Sequence, residues 1–230
     1  MNNFQKFMYA FTFIFMFISC SKKTDESKIE FWLTNLDESS LFEKQAVELK
    51  FENFDDSLPF IEVDSTFSFQ TMDGFGFTLT GGSAMVLNKM DSIHRNELLK
   101  NLFGKEGNSI GISYLRISVG ASDLDDHVFS YNDLPEGEED ITLEKFSIDQ
   151  DRKHLIPIIK EVQSINPSIK FMGSPWSAPK WMKTNNDTRG GSLKPEFYES
   201  YAYYLVKYIN SYKEEGILLD AITVQNEPLH

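Results

Sequence analysis

At 230 residues the chain has room for one large domain or two small ones. Its composition, 41% hydrophobic, 14% aromatic and 25% charged, is that of a globular protein and too apolar for a disordered one. A net charge of −13 argues against nucleic acid and anionic membrane surfaces as partners, because phosphate binding rests on Lys and Arg neutralising the backbone.

The first twenty residues read as a targeting segment. Lys6 precedes Phe7 to Ile18 ("FMYAFTFIFMFI"), an apolar stretch of the length of a signal-peptide core and short of the about 20 residues a membrane-spanning helix needs. The single cysteine, Cys20, follows at once in "FISCSKK" and can form no internal disulfide. It is either an incidental residue of a discarded peptide or the lipidated end of a mature lipoprotein, whose cleavage box the stretch resembles. The second option implies an exported protein anchored by lipid at the bacterial outer membrane, periplasm or cell surface. Residues 21–29 ("SKKTDESKI") read as a polar tether.

Residues 30–72 have the texture of short strands. In "IEVDSTFSFQ" the residues Ile61, Val63, Phe67 and Phe69 follow the two-residue period of a half-buried strand, after a turn at Pro59. From residue 73 strands and helices alternate. Candidate strands are 75–82, 109–119, 168–173 and 216–224. Candidate helices are 91–103, 151–165 with Pro157 in its first turn, and 195–216. In the last helix Phe197, Tyr201, Tyr204, Leu205, Tyr208, Ile209 and Tyr212 keep the 3.6-residue period of a face packed on a sheet. Such alternation predicts an α/β fold of βα units with a parallel sheet.

In parallel α/β folds the chemistry sits at the carboxyl ends of the strands. Four segments occupy those places: Gly81 and Gly82, Gly120 to Asp126, Ser174 to Lys183, and Gln225 to Pro228. Asp123, four residues past its strand, either points into a pocket or belongs to an acidic surface loop. Trp176 and Trp181, in "GSPWSAPKWMKTN", either present flat faces to a sugar ring or plug the top of the fold. In "QNEP", Glu227 ends a strand where a water-excluding site raises a carboxyl's pKa and makes it a general acid. Asn226 beside it is placed to bond a substrate hydroxyl. His94, His127, His154 and His230 show no ligand spacing, so neither metal nor cofactor is expected.

The ordered motifs "DGFGFTLTGGSA", "YLRISVGASD", "SPWSAPKWMKTN", "GGSLK" and "ITVQNEP" resemble glycoside hydrolase family 30, the glucosylceramidase and β-1,6-glucanase group. The resemblance runs over about residues 30–230. It implies a (β/α)₈ TIM barrel with a side β-sandwich: residues 30–72 in the sandwich, and 73–230 as the first half of the barrel. It also implies a retaining β-glycosidase acting on a β-linked glycan or glycolipid, with Glu227 as acid/base, Asn226 beside it, and Asp123 and Trp176 on the terminal sugar. "LTGGSA" after the first strand and "VQNEPLH" are closer to the β-1,6-glucanase branch than to animal glucosylceramidases. The family's nucleophile is a glutamate at the seventh strand, and this sequence carries four. The expectation is therefore the front half of a longer enzyme, inactive by itself. The alternative is a non-catalytic glycan-binding surface lipoprotein.

Overall fold

The computed structural model describes residues 29–47, 49, 57 and 59–229. The targeting segment, Cys20, all of the tether but Ile29, and His230 lie outside the described residues. The chain divides into two units, Met1–Ser68 and Phe69–His230.

In the first unit, β1 (Trp32–Leu33) and β2 (Glu43–Lys44) pair antiparallel, Trp32 opposite Lys44. Trp32 stacks on Phe42 at 6.3 Å, and the Lys44 ammonium lies over the Trp32 ring while reaching Glu30 at 2.6 Å. Ile29 bridges to Leu49. The strand expected over residues 61–69 does not form. Ile61, Val63 and Phe67 are exposed, and Asp64 instead caps a turn by accepting from the Thr66 N–H and hydroxyl. Alternation marks a face, but a strand also needs a neighbour for its N–H and C=O groups. No described segment pairs with this one.

In the second unit, β3 (Gly76–Leu79), β4 (Tyr114–Val119), β5 (Lys170–Pro175) and β6 (Ala221–Ile222) form one parallel sheet in the order β3-β4-β5-β6. Each strand pairs with the next in sequence, as successive βα units of a barrel do. Between them run α1 (Gly81–Lys89), α2 (Ser92–Phe103), α3 (Asp149–Lys153), α4 (Leu155–Ile165) and α5 (Tyr198–Glu214). Of these, α1 was not anticipated. Its cap is nevertheless local chemistry, the Thr80 side chain accepting from the Ser83 N–H. The glycine at 82 serves a close approach, since a Cβ there would stand 1.7 Å from the Leu124 carbonyl oxygen.

Two boundaries differ from the periodic reading. The helix expected over 151–165 is broken at His154, which has φ −136°. Pro157 accounts for the break: it lacks the N–H that would bond the carbonyl four residues back, and its ring crowds that carbonyl, which belongs to Lys153. The apolar run 216–224 contributes only Ala221 and Ile222 to the ladder. The edge is nonetheless extended by the Asp220 and Thr223 N–H groups, which donate to Phe171 and Gly173 carbonyls at 2.8 and 2.9 Å.

The sheet's two faces separate structure from site. Leu115, Ile117 and Val119 on β4 and Phe171 on β5 are buried in the core with Leu99, Phe103, Ile158, Ile159, Val162 and the tyrosines of α5. Thr78, Arg116 and Ser174 carry the polar chemistry of the sheet. The register sets Thr78 opposite Arg116 and Ser118 opposite Ser174, so Ser174 lies one pleat further along the sheet.

The aromatic stripe of α5 is core, as its period implies. Tyr204, Tyr208 and Tyr212 are fully buried. Tyr131, from the loop after β4, stacks on Tyr204 and Tyr208 at 5.9 and 5.7 Å. Beneath them Asp151 is buried, its Oδ2 accepting from both the Tyr131 and the Tyr212 hydroxyls. Burial pushes the Asp151 carboxyl up to about 7 against the opposing pull of those two bonds.

Candidate functional site

The ends of β4, β5 and β6 open into one cleft of about 480 Å³, lined among others by Asp123, Trp176, Lys183, Arg189, Asn226 and Glu227. The residues singled out from three separate strand ends therefore meet in one place. They are supported very differently.

Trp176 follows β5 and is half-buried, and its indole N–H donates to Asp123 Oδ1 at 3.0 Å. This bond fixes the ring and directs Asp123 toward the cleft, leaving Oδ2 for a ligand and the indole face, not its N–H, for contact. Trp181 is core instead. It is 7% exposed, its N–H donates to the Asn132 carbonyl and side-chain oxygens, and its ring meets Phe197 edge-on at 5.0 Å. Of the other acidic residues in the loop, Asp125 works locally, accepting from the Ser122 N–H and hydroxyl at 2.7 and 2.8 Å.

Asn226 is held from three sides. Its N–H donates to the Pro175 carbonyl at 2.8 Å and its own carbonyl accepts from Gln225 Nε2 at 2.9 Å. Its Oδ1 accepts from Arg116 Nη2 at 2.7 Å. Arg116 reaches across the inner face of the sheet, also donating to Thr78 Oγ1 and Ser174 Oγ at 3.3 and 3.0 Å. With its oxygen engaged by Arg116, the Asn226 amide turns its NH₂ group to other acceptors, which suits it to hold a hydroxyl oxygen. Gln225 Nε2 also ties this segment to the Trp176 carbonyl at 2.8 Å.

Glu227 contrasts with its neighbour. Its side chain is exposed, and no hydrogen bond or ion pair holds its carboxylate among the described residues. The water-excluding surround expected for it is not built by these residues, because β6 is an edge of the described sheet. What holds Glu227 is its backbone, in the left-handed region at φ +46°. That conformation is sparsely used by non-glycine residues and is found at functional sites where neighbouring structure over-determines it.

Two contributors escaped the sequence reading. Arg116 left a signal, a lone arginine inside an apolar strand. Lys183 lay inside a quoted motif. It is 7% exposed with Nζ donating to the Thr188 carbonyl at 2.8 Å, and burial pushes its ammonium pKa down. Among the described residues no group of three or more His, Cys, Asp or Glu is placed to hold a metal ion. No helix among them is long and apolar enough to cross a membrane.

Comparison with known proteins gives a consistent result. Residues 72–230 match the profile of the glycosyl hydrolase family 30 TIM-barrel domain. The chain is 33% identical over 166 residues to an endo-1,6-β-D-glucanase of Neurospora crassa, covering 70% of this chain and 34% of the relative. It is 30% identical over 172 residues to putative glucosylceramidase 2 of Caenorhabditis elegans, covering 72% and 32%. A solved endo-β1,6-glucanase superposes with TM-score 0.72 at 34% identity, over 88% of this chain and 43% of that one. SrfJ from Salmonella typhimurium follows with TM-score 0.69 at 30% identity, over 82% and 41%. The chain thus spans about a third of the length of the curated relatives it matches.

Proposed function

The chain belongs to glycosyl hydrolase family 30, and from that membership we propose that it supplies the terminal-sugar wall and the acid/base residue of a retaining β-glycosidase. The substrate class is β-linked glucose, of the β-1,6-glucan or glucosylceramide kind that the relatives' names indicate. The observation that carries this reading is the convergence of Asp123, Trp176, Asn226 and Glu227 on one cleft from three strand ends.

In this mechanism Trp176 lies against the apolar face of the terminal sugar and Asp123 accepts from its hydroxyls. Asn226 binds the 2-hydroxyl, where hydrogen bonds strengthen in the transition state. Glu227, free of internal partners, protonates the glycosidic oxygen and then deprotonates the water that releases the glycosyl-enzyme. Retention needs a second carboxylate about 5–5.5 Å from the first. The other described carboxylate in the cleft, Asp123, has one oxygen on Trp176 and the other assigned to the sugar's hydroxyls, so it does not serve as the nucleophile. We place the nucleophile outside the described residues. On this reading the 230-residue chain binds its sugar and does not hydrolyse it. The same proposal has residues 1–20 direct export, Cys20 carry a lipid, and residues 30–72 belong to a side sandwich.

The test is a titration of the chain with a β-1,6-linked glucose disaccharide, followed by NMR for both binding and product. Binding without product is expected, weakened about tenfold by Asp123→Ala or Trp176→Ala, each removing roughly one hydrogen bond or sugar contact. Turnover that is lost in Glu227→Gln would overturn the placement of the nucleophile. Failure to bind any β-glucoside would overturn the site.

A further inference from the structure

Asp and Glu outnumber Lys and Arg by 35 to 22, so an arginine has many possible partners. Arg95 reaches Glu161 through Nε and Nη2 at 2.9 Å each. Arg152 reaches Glu215 and Asp149 at 2.7 Å. Arg116 is engaged under Asn226. The guanidinium of Arg189 alone makes no hydrogen bond or ion pair among the described residues, and it stands in the wall of the cleft that holds Glu227.

That wall is organised to keep it there. Lys183 and Leu193 bridge antiparallel, the Thr184 N–H donates to the Ser192 carbonyl at 2.9 Å, and the Ser192 N–H donates to Thr184 Oγ1 at 3.0 Å. At the tip of this hairpin the Arg189 N–H donates to Asp187 Oδ1 at 3.0 Å, and Asn185 Nδ2 donates to the Arg189 carbonyl at 2.8 Å. Asp187, the nearest acid in sequence, has its Oδ1 occupied by this backbone bond, and its carboxylate attracts the Arg189 guanidinium without forming an ion pair with it. Lys183 acts as a pin. Its buried ammonium donates to the Thr188 carbonyl at 2.8 Å and to Ser177 Oγ at 3.3 Å, joining the hairpin tip to the segment that carries Trp176.

A fixed backbone with a donor-only side chain that makes no hydrogen bond suits recognition: binding breaks no internal hydrogen bond and orders only the side chain. The lining sets two carboxylates, Asp123 and Glu227, against two cations, Lys183 and Arg189, so it carries no positive excess for an anion, and the acceptors that suit this guanidinium are uncharged hydroxyls. Asp123 and Trp176 occupy the terminal-sugar wall, and Glu227 must reach the oxygen that joins this sugar to the next. The hairpin is then the wall available to that next sugar.

We propose that Arg189 is a specificity-determining residue of the cleft, donating to hydroxyls of the sugar on the leaving-group side of the scissile bond, and that Lys183 positions it. This rests on the glycosidase reading above. The test compares two neutral ligands by NMR titration of the 230-residue chain: methyl β-glucoside, which has no second sugar, and a β-1,6-linked glucose disaccharide. Wild type prefers the disaccharide, and Arg189→Ala reduces that preference about tenfold, as expected for losing a hydrogen-bonded contact. Arg189→Lys, retaining a charge without the fork, restores part of it. Lys183→Met, which keeps the buried stem and removes the ammonium, reproduces the loss of preference.

Equal affinities for the two ligands in wild type, or an unchanged preference in Arg189→Ala, would overturn the assignment. An unchanged preference in Lys183→Met would overturn the positioning role. Tighter binding of a uronic-acid disaccharide than of the neutral one would overturn the hydroxyl chemistry. Wild type that binds neither sugar would sink the proposal together with the glycosidase reading, an outcome distinct from an effect confined to Arg189.

Discussion

The block beneath α5 and the cleft at the strand ends are built on opposite terms. In the block, the Asp151 carboxyl lies among Tyr131, Tyr204, Tyr208 and Tyr212, its Oδ2 accepts from two of their hydroxyls, and burial pushes it up to about 7. In the cleft, Asn226 is tied by Arg116 and the Pro175 carbonyl, while Glu227 one residue later has no side-chain partner among the described residues. Rigidity is placed beside the site, not on the reacting group. The scaffold is over-determined up to the residue before the proposed acid, and the acid's own side chain is left open to a ligand. Substitutions in the tyrosine block, at Arg116 and at Glu227 test this placement of rigidity.

The largest effect belongs to Asp151. Its pKa is raised from the usual aspartate value near 3.8 to about 7, so between those limits the folded state binds a proton that the unfolded state does not. Its contribution to stability is greatest below about pH 4 and is lost as pH rises through about 7, a change of at most about 4 kcal/mol at about 1.36 kcal/mol per pKa unit. Asp151→Asn keeps an acceptor for the tyrosines and cannot ionise. Urea melts from pH 4 to 8 should show a smaller loss of stability with rising pH in this variant than in wild type. Identical slopes would show that the buried carboxyl does not titrate in that range. Tyr212→Phe removes a bond that favours the charged form and so shifts the wild-type loss to higher pH.

Next in size is Arg116→Met. It removes the donor to Asn226 Oδ1 and leaves three acceptors, on Thr78, Ser174 and Asn226, without that partner. A loss of about 1–3 kcal/mol of stability is expected, with weaker binding of methyl β-glucoside. Retained affinity in a destabilised variant would show that Asn226 is fixed by its backbone alone.

The smallest effects are at Glu227. Glu227→Gln should change stability by less than about 0.5 kcal/mol, because an exposed carboxylate without partners has no bond to lose. Glu227→Gly should stabilise by up to about 1 kcal/mol by relieving the left-handed φ, less the extra freedom of glycine in the unfolded chain. A large destabilisation in either would reveal a support for this residue that the described structure lacks.

Much of the frame was legible because it rests on local chemistry. The 3.6-residue stripe of tyrosines announced the buried face of α5, the apolar spacing over 91–103 announced α2, which Asp91 caps by accepting from the Ile93 and His94 N–H groups, and the strand ends marked Asp123, Trp176, Asn226 and Glu227. The stretch over 61–69 misled because its alternation said nothing of a partner strand. The break at His154 misled because apolar spacing continues across a point where Pro157 removes a backbone bond.

The alternation of strands and helices and the order of residues at the strand ends were readable from the chain alone, since periodicity and capping act within a few residues. That Trp176 faces the cleft while Trp181 closes the core came from packing instead. Packing likewise set Arg116 on an asparagine 110 positions away, Lys183 as the pin of a hairpin, and the Arg189 guanidinium without a hydrogen bond among the described residues. These depend on which side chains the sheet and its loops bring within hydrogen-bond reach, and that distance is set by the packing of the whole unit.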